Sequence, residues 1–134
     1  MSRIIILDDM ESRHDWFKMA MGKDNKLVHC YTPDEFYAEV EIGWPDTMFL
    51  DHDLSETAIM CDPDNIDERT GTDVAQWLAA TTEDCDAERC QVIIHSMNPI
   101  GAENMYQILK KNAWQDLQKV PFYRLPLYND IQET

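Results

Sequence analysis

Basic residues are scarce in this chain. Its 134 residues hold 11 Lys and Arg against 26 Asp and Glu, a formal net charge of -15. Broad binding to the phosphate backbone of duplex DNA or RNA needs clustered cations, so that role is excluded. Attraction to an anionic membrane surface is excluded on the same ground. A small phosphate ligand is compatible with the charge, because a bound cation can outweigh the global field locally. No apolar run approaches about 18 residues, and the N-terminus lacks the pattern of a signal peptide. The expected setting is therefore cytoplasmic, without a membrane partner. Cys30, Cys61, Cys85 and Cys90 include no CxxC pair. That argues against a zinc cluster and, in a reducing compartment, against disulfides; buried or incidental thiols are expected. Internal repeats and low-complexity segments are also lacking.

What is present is enough apolar sequence for one domain over residues 1–134: 44% of residues are hydrophobic. Arg3 to Leu7 is a short β-branched run and reads as a buried strand. Glu11 to Met21 follows as a helix, with Trp16, Phe17 and Ala20 on one face and Gly22 at the stop. Leu27 to Tyr31 is the second strand. Thr32-Pro33-Asp34-Glu35 opens a helix, with Thr as cap, Pro at the first position and Glu three residues after the cap. Thr47 to Leu50 is the third strand. The polar, acidic stretch from Ser55 to Arg69 reads as a long loop, a feature often used as a lid. Thr70-Gly71-Thr72-Asp73 starts a helix carrying Val74, Trp77 and Leu78. Gln91 to His95 is the fourth strand, and Asn98-Pro99 caps a helix with Met105, Ile108 and Leu109 inward. Val120 to Leu125 reads as the fifth strand, leaving a final helix short or absent.

Strands alternating with helices give a doubly wound α/β fold with a parallel sheet and right-handed crossovers. The flavodoxin-like strand order 2-1-3-4-5 is expected, with a switch point between the first and third strands. Those strands end in Asp8-Asp9 and in Asp51-His52-Asp53. Ligands of such sheets bind at the carboxyl ends of the strands. Crowded carboxylates raise one another's pKa unless a cation neutralises them. Asp8, Asp9, Asp51 and Asp53 are therefore candidate ligands for a divalent ion, Mg²⁺ or Mn²⁺, both of which accept oxygen donors. The plainer reading of an Asp pair after a strand is capping of the next helix.

His52 and His95 stand at strand ends and are candidate acid–base groups. His95 is the better placed, because Ser96 and Asn98 accompany it at a helix start, where free N–H groups favour a phosphate oxygen. Asn98 serves equally as a cap. Arg13, in the first turns of the first helix, is either a bidentate phosphate clamp or a solvated partner of Asp9. His14 and His29 read as ordinary residues. Thr70 to Thr72 could approach the site, but a helix start accounts for them. The Trp and Met residues at helical spacing read as core.

These residues, in this order, resemble the receiver domain of two-component response regulators over about the first 125 positions. The resemblance implies that Asp8 and Asp9 hold magnesium and that Asp51 accepts a phosphoryl group. It also matches Ser96 to the hydroxyl residue ending the fourth strand, and Gly71 to a glycine ahead of the third helix. Receivers carry a lysine, usually followed by proline, at the end of the fifth strand. Here Tyr123-Arg124-Leu125-Pro126 leaves Arg124 as the basic candidate. The chain is more closely similar to the divergent cyclic-phosphate-processing receiver domains. That resemblance rests on the Asp pair followed by Arg13, on Asp51-His52-Asp53-Leu54, and on His95-Ser96-Met97-Asn98-Pro99.

Two functions follow. In the first, the chain is a metal-dependent phosphoesterase that opens a cyclic phosphate, either a 2′,3′-cyclic RNA end or a small cyclic nucleotide. Asp8, Asp9, Asp51 and Asp53 then bind metal, His95, His52 and Asp51 are catalytic, and Ser96, Asn98 and Arg13 bind substrate. In the second, it is a receiver-type signalling module with Asp51 as phosphoacceptor, or a Mg²⁺-dependent protein-binding switch. Oligomeric state is open.

Overall fold

The computed structural model describes residues 2–54, 69–81, 90–112, 114 and 116–125. The elements are β1 (Ser2–Leu7), α1 (Glu11–Met21), β2 (Asn25–Cys30), α2 (Pro33–Ile42), β3 (Thr47–Leu50), α3 (Gly71–Ala80), β4 (Gln91–Ile94), α4 (Pro99–Lys111) and β5 (Leu117–Lys119). A 3₁₀ turn, Phe122–Arg124, follows β5. The expected long loop, Ser55 to Arg69, lies outside the described residues except for Arg69, and so does the expected final segment, residues 126–134.

The strands form a five-stranded sheet in the order β2-β1-β3-β4-β5, and every pairing is parallel. Both faces of a parallel sheet are covered, which is why β1 reads as an unbroken apolar run. Alternate residues sort to opposite faces. Ile5, Leu7, Met48, Leu50, Val92 and Ile94 pack with α2, α3 and α4. Ile4, Ile6, Phe49 and Ile93 pack with Phe17 of α1 and with Leu125.

The helix starts follow the expected chemistry. Thr32 accepts from the Glu35 N–H, and Pro33 fills the first turn of α2. Thr70 and Asp73 close a reciprocal capping box on α3. In α1 the buried face is His14 and Phe17, with Trp16 partly covered and Ala20 exposed. Cys30 and Cys90 are buried, and burial pushes the Cys30 thiol up to about 12. Cys61 and Cys85 lie outside the described residues.

The fifth strand corrects the expectation. It runs over Leu117–Lys119, not Val120 to Leu125. An edge strand three residues long needs no apolar run, and Pro121 lacks the N–H that a ladder through 120–125 would use. The chain beyond it turns, placing Phe122 against Trp16 and Phe17.

Candidate metal and phosphate site

β1 and β3 are neighbours in register, Leu7 opposite Leu50, so Asp8 and Asp51 leave the sheet side by side. The Asp51 N–H donates to the Leu7 carbonyl at 3.0 Å, and the Asp8 N–H to the Cys30 carbonyl at 3.1 Å. Both side chains are buried, Asp8 at 0% and Asp51 at 2% exposure. Arg13, in the first turn of α1, reaches over them. Its Nη1 donates to Asp8 Oδ2 at 3.2 Å and to Asp51 Oδ2 at 3.3 Å. Its guanidinium also lies 5.1 Å from the Phe122 ring centroid, which fixes the approach by cation–π attraction.

The two acids sit in opposite electrostatic states. Burial and the neighbouring Asp8 push the Asp51 carboxyl up to about 8; Asp9 adds to the rise, while Arg13 and the His52 N–H oppose it. Burial also works against ionised Asp8, but hydrogen bonds from His95 and the Met10 N–H, together with Arg13, hold its carboxyl below the ordinary value. Asp8 is thus the settled anion. Arg13 does not offset burial and the neighbouring Asp8, so the Asp51 carboxyl stays raised.

His95 stands elsewhere than expected. It is fully buried, ringed by Phe17, Phe49 and Phe122. Burial lowers its pKa, so the imidazole is neutral and its Nε2–H donates to Asp8 Oδ2 at 2.8 Å. Nδ1 has no hydrogen-bond partner among the described residues. His95 therefore supports Asp8 from beneath and does not face the open rim.

His52 and Asp53 follow the end of β3 at Leu50 and bond to one another. His52 Nδ1 donates to Asp53 Oδ1 at 2.8 Å. Asn98 Nδ2 donates to the same oxygen at 3.3 Å, while Asn98 Oδ1 caps α4 by accepting from the Gly101 N–H at 3.0 Å. The Asp53 carboxylate thus belongs to a rim network and lies outside the Asp8–Asp51–His95 cluster. Ser96 is buried, and its Oγ accepts from the Asn98 N–H at 3.0 Å. Arg124 is exposed over Tyr123 in the 3₁₀ turn and is not the cation of the site. Lys119 does end β5, but its ammonium is held by Glu103 and lies over the Tyr106 ring. Arg13 is instead the cation in contact with both acids.

Sequence reasoning passed over His14. It is fully buried; its Nε2–H donates to the Asp8 carbonyl at 2.7 Å, and its Nδ1 pairs with His29 Nδ1 at 2.7 Å. The available signal was its spacing of three from Phe17, which puts both on one helix face. His14→Ala leaves a buried carbonyl and a second imidazole without partners. It should cost about 2–3 kcal/mol in denaturant unfolding and weaken divalent-ion binding; unchanged values for both would remove His14 from the support of Asp8.

Close packing also ties the helices to the site. The Gly71 N–H donates to the His52 carbonyl at 2.8 Å. A Cβ at Gly71 would lie 2.4 Å from the Asp51 carbonyl oxygen and 2.8 Å from His52 Cα. Backbone cannot yield as a flexible side chain does. Gly71→Ala should therefore lose about 3 kcal/mol by overpacking, read as a lower denaturation midpoint at unchanged slope.

Ligand atoms of Asp8, Asp51 and His95 lie within 4.8 Å of one another. The two carboxylates of this cluster, one of them held up to about 8 by burial and like charge, fit a divalent ion, with the His95 Nε2–H engaged on Asp8.

Residues 3–111 match the family model of the cyclic-phosphate processing receiver domain. The chain belongs to that family. No curated protein matches the sequence. Among solved structures the receiver domain described here is similar to the response regulator TrrA from Thermotoga maritima in complex with Mg²⁺-BeF, at 16% identity and TM-score 0.63, covering 99% of this chain and 98% of that one. It is similar to a CheY-like receiver domain from Methanospirillum hungatei JF-1, at 16% identity and TM-score 0.58, covering 99% and 97%. It is also similar to the Mn²⁺-bound response regulator Rcp1, at 14% identity and TM-score 0.58, covering 90% and 81%. At such identities these likenesses establish the receiver fold of this family member, in agreement with the order of its sheet.

Proposed function

We propose that this receiver domain is a divalent-metal-dependent phosphate switch. The observation that carries the reading is Arg13 Nη1 spanning Asp8 and Asp51 in a buried acidic pocket. Asp8, Asp9 and Asp51 would hold Mg²⁺ or Mn²⁺, which when bound neutralises charge on a phosphoryl group. Asp51, ionised under those conditions, attacks phosphorus through a carboxylate oxygen; the donor's P–O bond breaks, and its leaving group departs with the bond electrons. Arg13 then exchanges a carboxylate for phosphoryl oxygens, which a planar fork of donors suits. Incubation with acetyl phosphate and Mg²⁺ should add one phosphoryl group by intact mass, and Asp51→Asn should add none. Absence of labelling and of Mg²⁺ binding in the wild type would remove the reading.

A second reading has support of its own. The His52–Asp53–Asn98 network borders the acidic pair, and the family description names cyclic phosphates. In that reading His52 moves a proton, while Arg13, Ser96 and Asn98 orient a 2′,3′-cyclic RNA end or a small cyclic nucleotide. Metal-dependent ring opening that Asp51→Ala and His52→Ala both abolish would favour it over the switch. His95→Ala should lower metal affinity together with turnover, as expected of a group that supports Asp8.

A further inference from the structure

A cleft of about 380 Å³ opens between the start of α4 and the end of β5. Its walls include Met97, Pro99, Pro121 and Tyr123, with Ser96 and Lys119 as polar members. Met97 and Tyr123 are large apolar groups left 49% and 63% exposed. The cleft and the acidic pocket share one short turn. Ser96, Met97 and Pro99 line the cleft, and Asn98, within the same turn, reaches the Asp53–His52 rim of the pocket.

The chemistry of the cleft differs from that of the pocket. Lys119 is committed to Glu103, and Ser96 Oγ accepts from the Asn98 N–H. A second phosphate would find no uncommitted cation among the cleft-lining residues. A flat, uncharged ring would meet two prolines, a thioether and a phenol. Ligand sites of roughly 300–1,000 Å³ with apolar walls and few polar groups hold molecules of this kind. Aromatic side chains stack on bases with little regard to base identity.

We propose that this cleft receives the base of a nucleoside phosphate whose phosphate lies in the acidic pocket; the inference rests on the pocket binding phosphate with a metal. The sugar then spans the Ser96–Pro99 turn. The test is calorimetry in Mg²⁺ with inorganic phosphate, adenosine 3′-monophosphate and adenosine 2′,3′-cyclic phosphate. Stacking on one ring is worth roughly tenfold or more in affinity, so the nucleotides should bind at least about tenfold tighter than phosphate. Tyr123→Ala and Met97→Ala should erase that advantage and leave phosphate binding unchanged, and Tyr123→Phe should keep it. Both side chains are exposed, so their loss leaves the fold intact.

Nucleotides binding no tighter than phosphate would overturn the cleft as a base site while leaving the pocket reading in place. An advantage that survives both alanine variants would also overturn it. Failure of phosphate and nucleotides alike to bind the wild type would remove the pocket reading, and this inference with it.

Discussion

Asp51→Asn should make the metal-free protein more stable at about pH 8 and sharply reduce its stabilisation by Mg²⁺. Burial and Asp8 raise the Asp51 carboxyl from 3.8 to about 8. Between those values the folded state keeps a proton that the unfolded chain has released. Stability of the wild type therefore falls as pH rises through that window. The full penalty, reached above about pH 8, is on the order of 5 kcal/mol from the size of the shift. An asparagine carries no proton to lose, so its contribution is flat across the window. Urea unfolding of both proteins at about pH 5 and about pH 8 reads the difference in slope. Equal slopes would mean that Asp51 is not held up in the apo protein. Added Mg²⁺ should reverse the order at the higher pH, because a cation favours the ionised carboxylate. Loss of this ligand should weaken metal binding by a factor on the order of 100, equivalent to about 2.7 kcal/mol.

Arg13→Met should have the opposite effect on the apo protein. Arg13 is a mostly buried cation on two carboxylates. Removing one partner of a buried charge set costs about 3–5 kcal/mol when the remaining charges cannot reach water. Asp51 already carries a proton below about pH 8, so the loss should be largest above that value, where both carboxylates are ionised, and smaller near pH 5. Mg²⁺ should restore much of it, because the ion supplies the missing charge. Phosphoryl transfer to Asp51 should fall even where metal binding is regained, since the guanidinium fork is gone. Arg13→Lys keeps the charge without the fork and should recover stability better than phosphorylation. Thermal unfolding with and without Mg²⁺, beside acetyl-phosphate labelling, separates these roles. A variant as stable and as readily labelled as the wild type would show that Arg13 is a surface ion pair only.

Much of this arrangement was legible in the residues. The runs ending at Leu7, Leu50 and Ile94 announced buried parallel strands, because apolar residues without alternation have few other uses at that length. Thr32 and Thr70 announced helix starts through side-chain chemistry that works locally. Once those strands were ordered, Asp8 and Asp51 had to emerge together. What stayed hidden depended on tertiary context. Leu117–Lys119 gains its ladder from β4, and nothing in Leu-Gln-Lys alone marks a strand. His95 looked like a rim residue because the rim lies one residue beyond it. The pleat instead turns its ring to the Phe17 and Phe49 side, beneath Asp8. Asp53 was grouped with Asp51 because both follow the third strand, but β3 ends at Leu50 and the Asp53 carboxylate bonds to His52 and Asn98 instead. Lys119 was passed over in favour of Arg124 because the end of β5 was placed too late.

The Asp8–Asp51 pocket should take a divalent ion that readies Asp51 for phosphate. Calorimetric titration of the wild type and of Asp51→Asn with Mn²⁺ and Mg²⁺ at about pH 7 tests this directly. Binding should release protons in the wild type, because Asp51 starts largely protonated below about pH 8 and loses its proton to solvent when the ion binds. It should be lost or weakened about a hundredfold in the variant. Wild-type binding without proton release, or equal binding by both proteins, would contradict the account.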